Sequence, residues 1–109
     1  MHSLEIDCLT VKQKIDNDHS FILLDCREQE EYNLVNISES RLLPMSEIQT
    51  RVSELDEHRA AEIIVYCHHG MRSMQVTVWL QQEGFTNVKS MQGGIDAWSC
   101  EVDDSKVRY

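Results

Sequence analysis

The sequence predicts an α/β fold in which a central parallel sheet carries helices on both faces. Strand-like segments alternate with helical ones along the 109 residues, and parallel strands need such helical crossovers between them. Residues 21–25 and 63–66 are short, largely apolar runs, as expected for strands buried on both faces. No repeat, low-complexity tract or linker divides the chain, so residues 1–109 are predicted to form a single domain.

The first half of the chain supplies three strands and two helices. The predicted strands are residues 4–6, 21–25 and 41–43, and the predicted helices are residues 11–15 and 28–34. Thr10 is expected to cap the first helix, because a hydroxyl accepts a hydrogen bond from a free N–H group of the first turn. The second helix opens with acidic residues that suit its dipole, and Pro44 ends the third strand.

The second half supplies two strands and three helices. The predicted helices are residues 47–55, 74–83 and 95–98, and the predicted strands are residues 63–66 and 87–91. Ser46 and Ser73 are the expected N-caps, and apolar residues recur on one face of the first of these helices. The pair Gly93-Gly94 turns the chain into the last helix, and the residues from Ser99 onward are expected to form a polar surface tail.

The charge balance excludes several classes of partner. Nineteen Asp and Glu residues against ten Lys and Arg give a net charge of -9, whereas nucleic-acid binding needs clustered cations. No apolar stretch approaches the ~18 residues that a membrane span needs, and residues 1–5 lack the pattern of a signal peptide. We therefore expect a cytoplasmic monomer with reduced cysteines and with neither a nucleic-acid nor a membrane partner.

Residues 63–73 predict the functional site, because a buried strand ends there on Cys67 and a helix follows. Ligands bind at the carboxyl ends of the strands in parallel sheets, and N–H groups at a helix N-terminus hold anions and favour a thiolate. Arg72 adds positive charge, and Gly70 allows a turn with positive φ. Cys67 is therefore predicted to be a nucleophile, with an inert buried thiol as the alternative.

His68 and His69 directly follow the nucleophile. Adjacent residues do not easily converge with Cys67 on one tetrahedral ion, and the sequence offers no C-x-x-C or H-x3-H spacing for further ligands, so no metal site is predicted. The two imidazoles are expected to line the mouth of the loop, where protonation would add positive charge. A solvent-facing pair without a role is the equal alternative.

Three segments resemble motifs of the rhodanese family, in the family's order and over nearly the whole chain. Residues 23–32 resemble its early Asp-x-Arg-x-x-x-Glu-Tyr/Phe segment, residues 67–73 its active-site loop, and residues 93–98 its closing Gly-Gly-x-x-x-Trp motif. The resemblance implies a single-domain, rhodanese-like sulfurtransferase of the thiosulfate sulfurtransferase type. In such a protein, Cys67 would take a sulfane sulfur as a persulfide and pass it to an acceptor.

The same resemblance assigns roles to the loop. The residues that would cradle the persulfide and the donor are His68, His69, Gly70, Met71, Arg72 and Ser73, and Arg72 would hold the anionic donor. A thiolate that attacks the outer sulfur of thiosulfate expels sulfite, and cyanide, a thiol or an acceptor protein then takes the sulfur. The expected partners are a small sulfur-donor anion and a protein donor or acceptor; no metal or organic cofactor is needed.

Other functions stay open at this point. A sulfur-delivery module would serve one protein partner with little free turnover, and a non-catalytic interaction domain would keep the fold but would need neither Cys67 nor Arg72. Phosphatases and arsenate reductases of the same fold use a Cys-x5-Arg loop. That loop is one residue longer than the Cys67-x4-Arg72 loop of this chain and fits a tetrahedral anion.

Asp25 and Arg27 are expected beside the loop, at the end of the strand next to the Cys67 strand. They either shape the pocket or, in the interpretation that we favour, belong to an internal bonding network that fixes the loop. Cys26 lies between them, where the family usually has an aliphatic residue or threonine. It is expected to be a small buried side chain, and resolution of a Cys67 persulfide as a disulfide is the alternative.

Overall fold

The structure is a computed structural model that describes residues 4–109, and its centre is a five-stranded sheet with every neighbouring pair parallel. The strands are β1 Glu5–Ile6, β2 Ile22–Asp25, β3 Arg41–Leu42, β4 Ile63–Tyr66 and β5 Val88–Met91. Their order across the sheet is β1-β5-β4-β2-β3. The predicted parallel sheet is thus confirmed, and β4, which leads to Cys67, is its central strand.

Helices cover both faces of the sheet, as predicted. They are α1 Cys8–Asp16, α2 Gln29–Leu34, α3 Ile48–Arg51, a 3-10 helix Val52–His58, α4 Met71–Gln82 and α5 Gly94–Glu101. One hydrophobic cluster joins the sheet to α1 and α5, and a second joins it to α3, the 3-10 helix and α4. Among the described residues, none of these helices is both long and apolar enough to span a bilayer.

The alternation of side chains along β4 decides which face the nucleophile points to. Ile64 and Tyr66 belong to the cluster on the α1 and α5 side, whereas Val65 and Cys67 belong to the cluster on the α4 side. Successive side chains of a strand point to opposite faces. Cys67 continues this alternation, so its sulfur points towards the N-terminus of α4.

The predicted N-caps Thr10 and Ser46 are both wrong, by three residues and by one residue. The first helix begins at Cys8, and the Asp7 carboxylate accepts a hydrogen bond of 2.7 Å from the Thr10 N–H, so Thr10 lies inside the helix. Glu47 precedes α3, and the Ser46 hydroxyl instead donates to the Glu28 carboxylate at 2.7 Å. In the first case an acidic residue caps the helix in place of Thr10. In the second case an acidic residue accepts the hydrogen bond of the serine that was expected to cap the helix.

The lengths of three helices also differ from the prediction. The expected helix over residues 47–55 tightens into a 3-10 helix from Val52 onward. The helix after the cysteine loop begins at Met71, three residues before the predicted start, and the last helix extends to Glu101. Ser99, the expected start of the polar tail, is buried in that helix and donates to the Ile95 carbonyl.

Candidate active site

Cys67 lies directly after β4 with only 1% of its surface exposed. Its Sγ accepts hydrogen bonds from the N–H groups of Gly70 at 3.1 Å and Ser73 at 3.3 Å. These N–H groups belong to the first turn of α4, where backbone donors have no partner within the helix. The sulfur therefore occupies the position of an N-cap side chain, and Ser73, which was predicted to cap this helix, is a donor inside its first turn.

The tight turn between the cysteine and the helix depends on Gly70. Its φ is 108°, in the left-handed region that L-residues with a side chain rarely adopt. A Cβ at this position would also come within 3.3 Å of the Gly93 nitrogen. The absence of a side chain at Gly70 thus allows the loop to fold back and bring its N–H groups onto the sulfur.

Helix α5 holds the loop from the other side. Its first-turn N–H groups, on Ile95 and Asp96, donate to the carbonyls of Cys67 at 2.9 Å and His68 at 3.1 Å. A Cβ on Gly94 would lie 2.5 Å from the Cys67 carbonyl oxygen, so only glycine lets the helix approach this closely. The closing glycine motif therefore orients the peptide bonds that begin the loop.

The environment of Cys67 favours its thiolate. The neighbouring Cys26 thiol, together with hydrogen bonds from Ser73 and Gly70, lowers the pKa of Cys67 to about 4 against the opposing effect of burial. The same contact raises the pKa of Cys26 well above its usual range, and burial adds to that rise. At neutral pH, Cys67 is therefore an anion and Cys26 a neutral thiol beside it.

Ser73 and Ser90 form a hydroxyl pair behind the nucleophile. The Ser73 Oγ lies 3.4 Å from the Cys67 Sγ and 2.7 Å from the Ser90 Oγ. Both serines are buried. When Ser90 donates to Ser73, the single proton of the Ser73 hydroxyl is left for two acceptors, the thiolate and the Gly70 carbonyl, which lies 3.2 Å from the Ser73 Oγ.

Arg72 lies at the mouth of the loop and is held by Glu31. Two parallel hydrogen bonds of 2.8 and 2.9 Å join the guanidinium to the carboxylate, the geometry that makes such pairs strong. The contact with Arg72 lowers the pKa of Glu31 to about 2, and the pair keeps the pKa of Arg72 above its usual value. The positive charge that the sequence places beside the nucleophile is therefore largely balanced.

Asp25 and Arg27 are fully buried beneath this pair. The guanidinium donates to both Asp25 carboxylate oxygens, at 2.7 Å for the shortest contact, and to the Val35 carbonyl at 2.6 Å. It also donates to the Tyr109 hydroxyl at 2.8 Å. The side chains thus lie in an internal network that ties the end of β2 to α2 and to the C-terminal residues.

The two histidines lie on the outer side of the loop. The rings of His68 and His69 stack at 3.8 Å, and Tyr109 stacks on the other face of His68 at 3.8 Å and 4°. His68, His69 and Asp96 offer three ligand atoms within 4.8 Å of one another, so these residues could hold a cation. Asp96 is, however, paired with Arg108 at 3.0 Å.

Met71 opens onto a groove beside the loop. The side chain is 77% exposed, and it lies at one end of a groove of about 730 Å³. The groove runs along α4 past Met74, Val78 and Trp79. Apolar side chains thus border the site on the side of α4.

Three residues of the site were not predicted from the sequence. Glu31 belongs to the early motif, which was the available signal, although its pairing with Arg72 was not foreseen. Ser90 is a small polar residue on β5, the strand beside β4, and such a residue at the carboxyl end of a neighbouring strand is a weak signal. Nothing in the sequence pointed to Tyr109.

Comparison with known proteins agrees with this architecture. The model of the rhodanese-like domain matches residues 9–101. The chain is 34% identical over 95 residues to a protein named a sulfurtransferase from Allochromatium vinosum, covering 87% of each. It is 36% identical over 99 residues to YrkF of Bacillus subtilis, named as a sulfur carrier, covering 91% of this chain but only 52% of that protein.

Solved structures give the same result. A rhodanese-related protein from Thermoplasma volcanium superposes with a TM-score of 0.79 at 30% identity, over 90% of this chain and 92% of that one. A thiosulfate sulfurtransferase from Pseudomonas aeruginosa superposes with a TM-score of 0.81 at 26% identity, over 91% of this chain but 19% of that one. From the family match, the matched motifs and the shared fold, this chain belongs to the family of rhodanese-like domains.

Proposed function

We propose that this protein is a sulfurtransferase that carries sulfane sulfur as a persulfide on Cys67. The observation that carries the proposal is the Cys67 sulfur held by the N–H groups of Gly70 and Ser73 at the start of α4. These donors favour the thiolate that attacks a sulfur donor, and they suit an anionic persulfide afterwards. Relatives named as sulfurtransferases and as a sulfur carrier support rhodanese-type sulfur transfer.

The first half-reaction needs a donor whose leaving group is stable as an anion. With thiosulfate, the Cys67 thiolate attacks the outer sulfur, the S–S bond of the donor breaks, and sulfite leaves with the electron pair. Arg72 faces the loop mouth and offsets part of the charge on the donor, while Glu31 limits how much of it is offset. We therefore assign most of the anion binding to loop N–H groups rather than to the guanidinium.

The second half-reaction passes the outer sulfur to a nucleophile such as cyanide or a thiol. The groove that starts at Met71 favours delivery to a protein thiol as the biological form of this step, as does the relative named as a sulfur carrier. A delivery protein would turn over slowly with cyanide and quickly with its protein acceptor. The ratio of these two rates separates a delivery protein from an enzyme that acts on small molecules.

The test is a single loading reaction. The protein is mixed with thiosulfate, its intact mass is recorded within seconds, and the released sulfite is measured. The expected result is a gain of one sulfur atom, one equivalent of sulfite, and loss of the added sulfur on treatment with a reductant. Cys67→Ala should neither gain sulfur nor release sulfite. Cys100→Ser, which removes an exposed cysteine, should behave like the wild type.

Failure with thiosulfate alone would exclude that donor, and a low-molecular-weight persulfide and a cysteine desulfurase would be the next donors. Failure with every sulfur donor would refute the proposal. Hydrolysis of phosphate esters or reduction of arsenate would then be measured, although the Cys67-x4-Arg72 loop is one residue shorter than those reactions use.

A further inference from the structure

Cys26 occupies the same position on its strand as Cys67 does on the neighbouring one. Asp25 of β2 pairs in register with Tyr66 of β4, and each cysteine follows directly. The Cys26 N–H continues the ladder with a hydrogen bond of 3.1 Å to the Tyr66 carbonyl. Neighbouring strands lie about 4.8 Å apart, which is within the range of about 4.4–6.8 Å that a disulfide spans between Cα atoms.

The two side chains also point to the same face. Both belong to the hydrophobic cluster that packs against Val76 and Leu80 of α4, so the Cys26 thiol lies beside the Cys67 sulfur. Cys26 has no exposed surface, so dissolved thiols do not reach it in the folded protein. Its one available sulfur partner is therefore Cys67.

The remaining cysteines are not placed for this reaction. Cys8 belongs to the cluster on the opposite face of the sheet, where its thiol contacts the carbonyls of Gln92 and Gly94. Cys100 is exposed near the end of α5. Only Cys26 adjoins the nucleophile.

We propose that Cys26 resolves the Cys67 persulfide by forming an internal disulfide and releasing the outer sulfur as hydrosulfide. The inference rests on the proposed function, because it needs the persulfide. The Cys26 sulfur attacks the Cys67 Sγ, the bond between that Sγ and the outer sulfur breaks, and a Cys26–Cys67 bond forms. The outer sulfur is reduced by two electrons, the two cysteine sulfurs are together oxidised by two, and the Cys26 proton leaves on the hydrosulfide.

This reaction gives the bound sulfur two fates. An acceptor that arrives soon takes it as sulfane sulfur, and Cys67 returns to the thiolate. Without an acceptor, Cys26 releases the sulfur as sulfide, and the disulfide stops further loading until a thiol reductant attacks its Cys67 sulfur, the one that meets donors, and opens it by exchange. The protein then acts as a sulfide-releasing enzyme whose turnover depends on a reductant.

The test follows a loaded protein over time. Wild type, Cys26→Ala and Cys26→Ser are reduced, freed of reductant, mixed with thiosulfate without oxygen and without an acceptor, and sampled for intact mass and for sulfide. The wild type is expected to gain one sulfur and then to fall to two hydrogens below its starting mass, with one equivalent of sulfide. Peptides containing Cys26 and Cys67 should then be joined, whereas both variants should keep the added sulfur.

Other results would overturn the inference. A wild type that keeps its sulfur as long as Cys26→Ala, or that releases sulfide without a joined peptide, would refute resolution by Cys26 while leaving the persulfide intact. If neither the wild type nor the variants gain sulfur or release sulfite with any sulfur donor, the proposed function fails and this inference fails with it. The wild-type time course decides the matter even if the variants fold poorly.

Discussion

Replacing Ser73 by alanine tests how the loop activates the nucleophile. The change removes the hydroxyl that lies 3.4 Å from the Cys67 Sγ but keeps the backbone N–H at 3.3 Å. A hydrogen bond to a charged group contributes about 1.5–3 kcal/mol, and one pKa unit corresponds to about 1.4 kcal/mol. The pKa of Cys67, which the contacts of Cys26, Ser73 and Gly70 lower to about 4, should therefore rise by about 1–2 units.

The assay is the ultraviolet absorbance of the thiolate as a function of pH, recorded in a Cys100→Ser background with Cys67→Ala as the blank. Ser90→Ala is the matched control, because it removes only the hydroxyl behind Ser73, and it should shift the pKa less. An unchanged pKa in Ser73→Ala, or a wild-type thiol that titrates near the ordinary value of ~8.5, would refute the reasoning.

The same titration predicts a pH dependence of stability. Because folding lowers the pKa of Cys67, the unfolded chain binds a proton that the folded chain lacks between pH about 4 and ~8.5. The stabilisation is fully present above this window and is lost as pH falls through it, with a slope of about 1.4 kcal/mol per pH unit. The difference in free energy of unfolding between wild type and Cys67→Ala should follow this slope, and a difference independent of pH would contradict it.

Three further substitutions test the surroundings of the loop. Glu31→Gln removes the charge that balances Arg72, so the KM for thiosulfate should fall by a factor of about 3–10, and an unchanged KM in steady-state assays would argue that Arg72 does not face the donor. Gly94→Ala places a Cβ 2.5 Å from the Cys67 carbonyl oxygen at a φ of 61°, so denaturant unfolding should show a loss of about 2–4 kcal/mol. Arg27→Met leaves the buried Asp25 carboxylate without its cation and should cost about 3–5 kcal/mol. Adding Asp25→Leu to Arg27→Met should recover much of that loss, and a double variant as unstable as the single one would contradict a paired role.

The sheet and the location of the nucleophile were predictable because both follow from local patterns. Apolar strands such as Ile63–Tyr66 are recognisable from their composition, and the end of a buried strand is where parallel sheets bind ligands. The location of Cys67 could therefore be predicted from the sequence of one strand and of the loop that follows it. The predicted start of α4, the helix after Cys67, was three residues too late. Gly70 adopts a left-handed conformation, which lets the chain turn into the helix before it reaches Ser73.

The contacts that tune the site were not predictable, because they join residues far apart in the sequence. Tyr109 reaches back to Arg27 and Glu31 with its hydroxyl and stacks its ring on His68. The pairing of Glu31 with Arg72 likewise depends on how α2 packs beside the loop. Local periodicity and capping rules describe single elements and contain no information about such docking.

The hydrogen bonds from α5 to the cysteine loop have a consequence for the order of events during synthesis. Cys67 leaves the ribosome before Ile95 and Asp96 have been joined to the chain, and until α5 docks, the carbonyls of Cys67 and His68 lack these partners. The groups that lower the pKa of Cys67 are Cys26, Ser73 and Gly70, so the docking of α5 acts on the backbone of the loop and not directly on the sulfur. The loop backbone therefore gains these two hydrogen bonds only after the strand and the helix that flank Cys67 have been synthesised, so α5 fixes a loop whose sulfur ligands already exist.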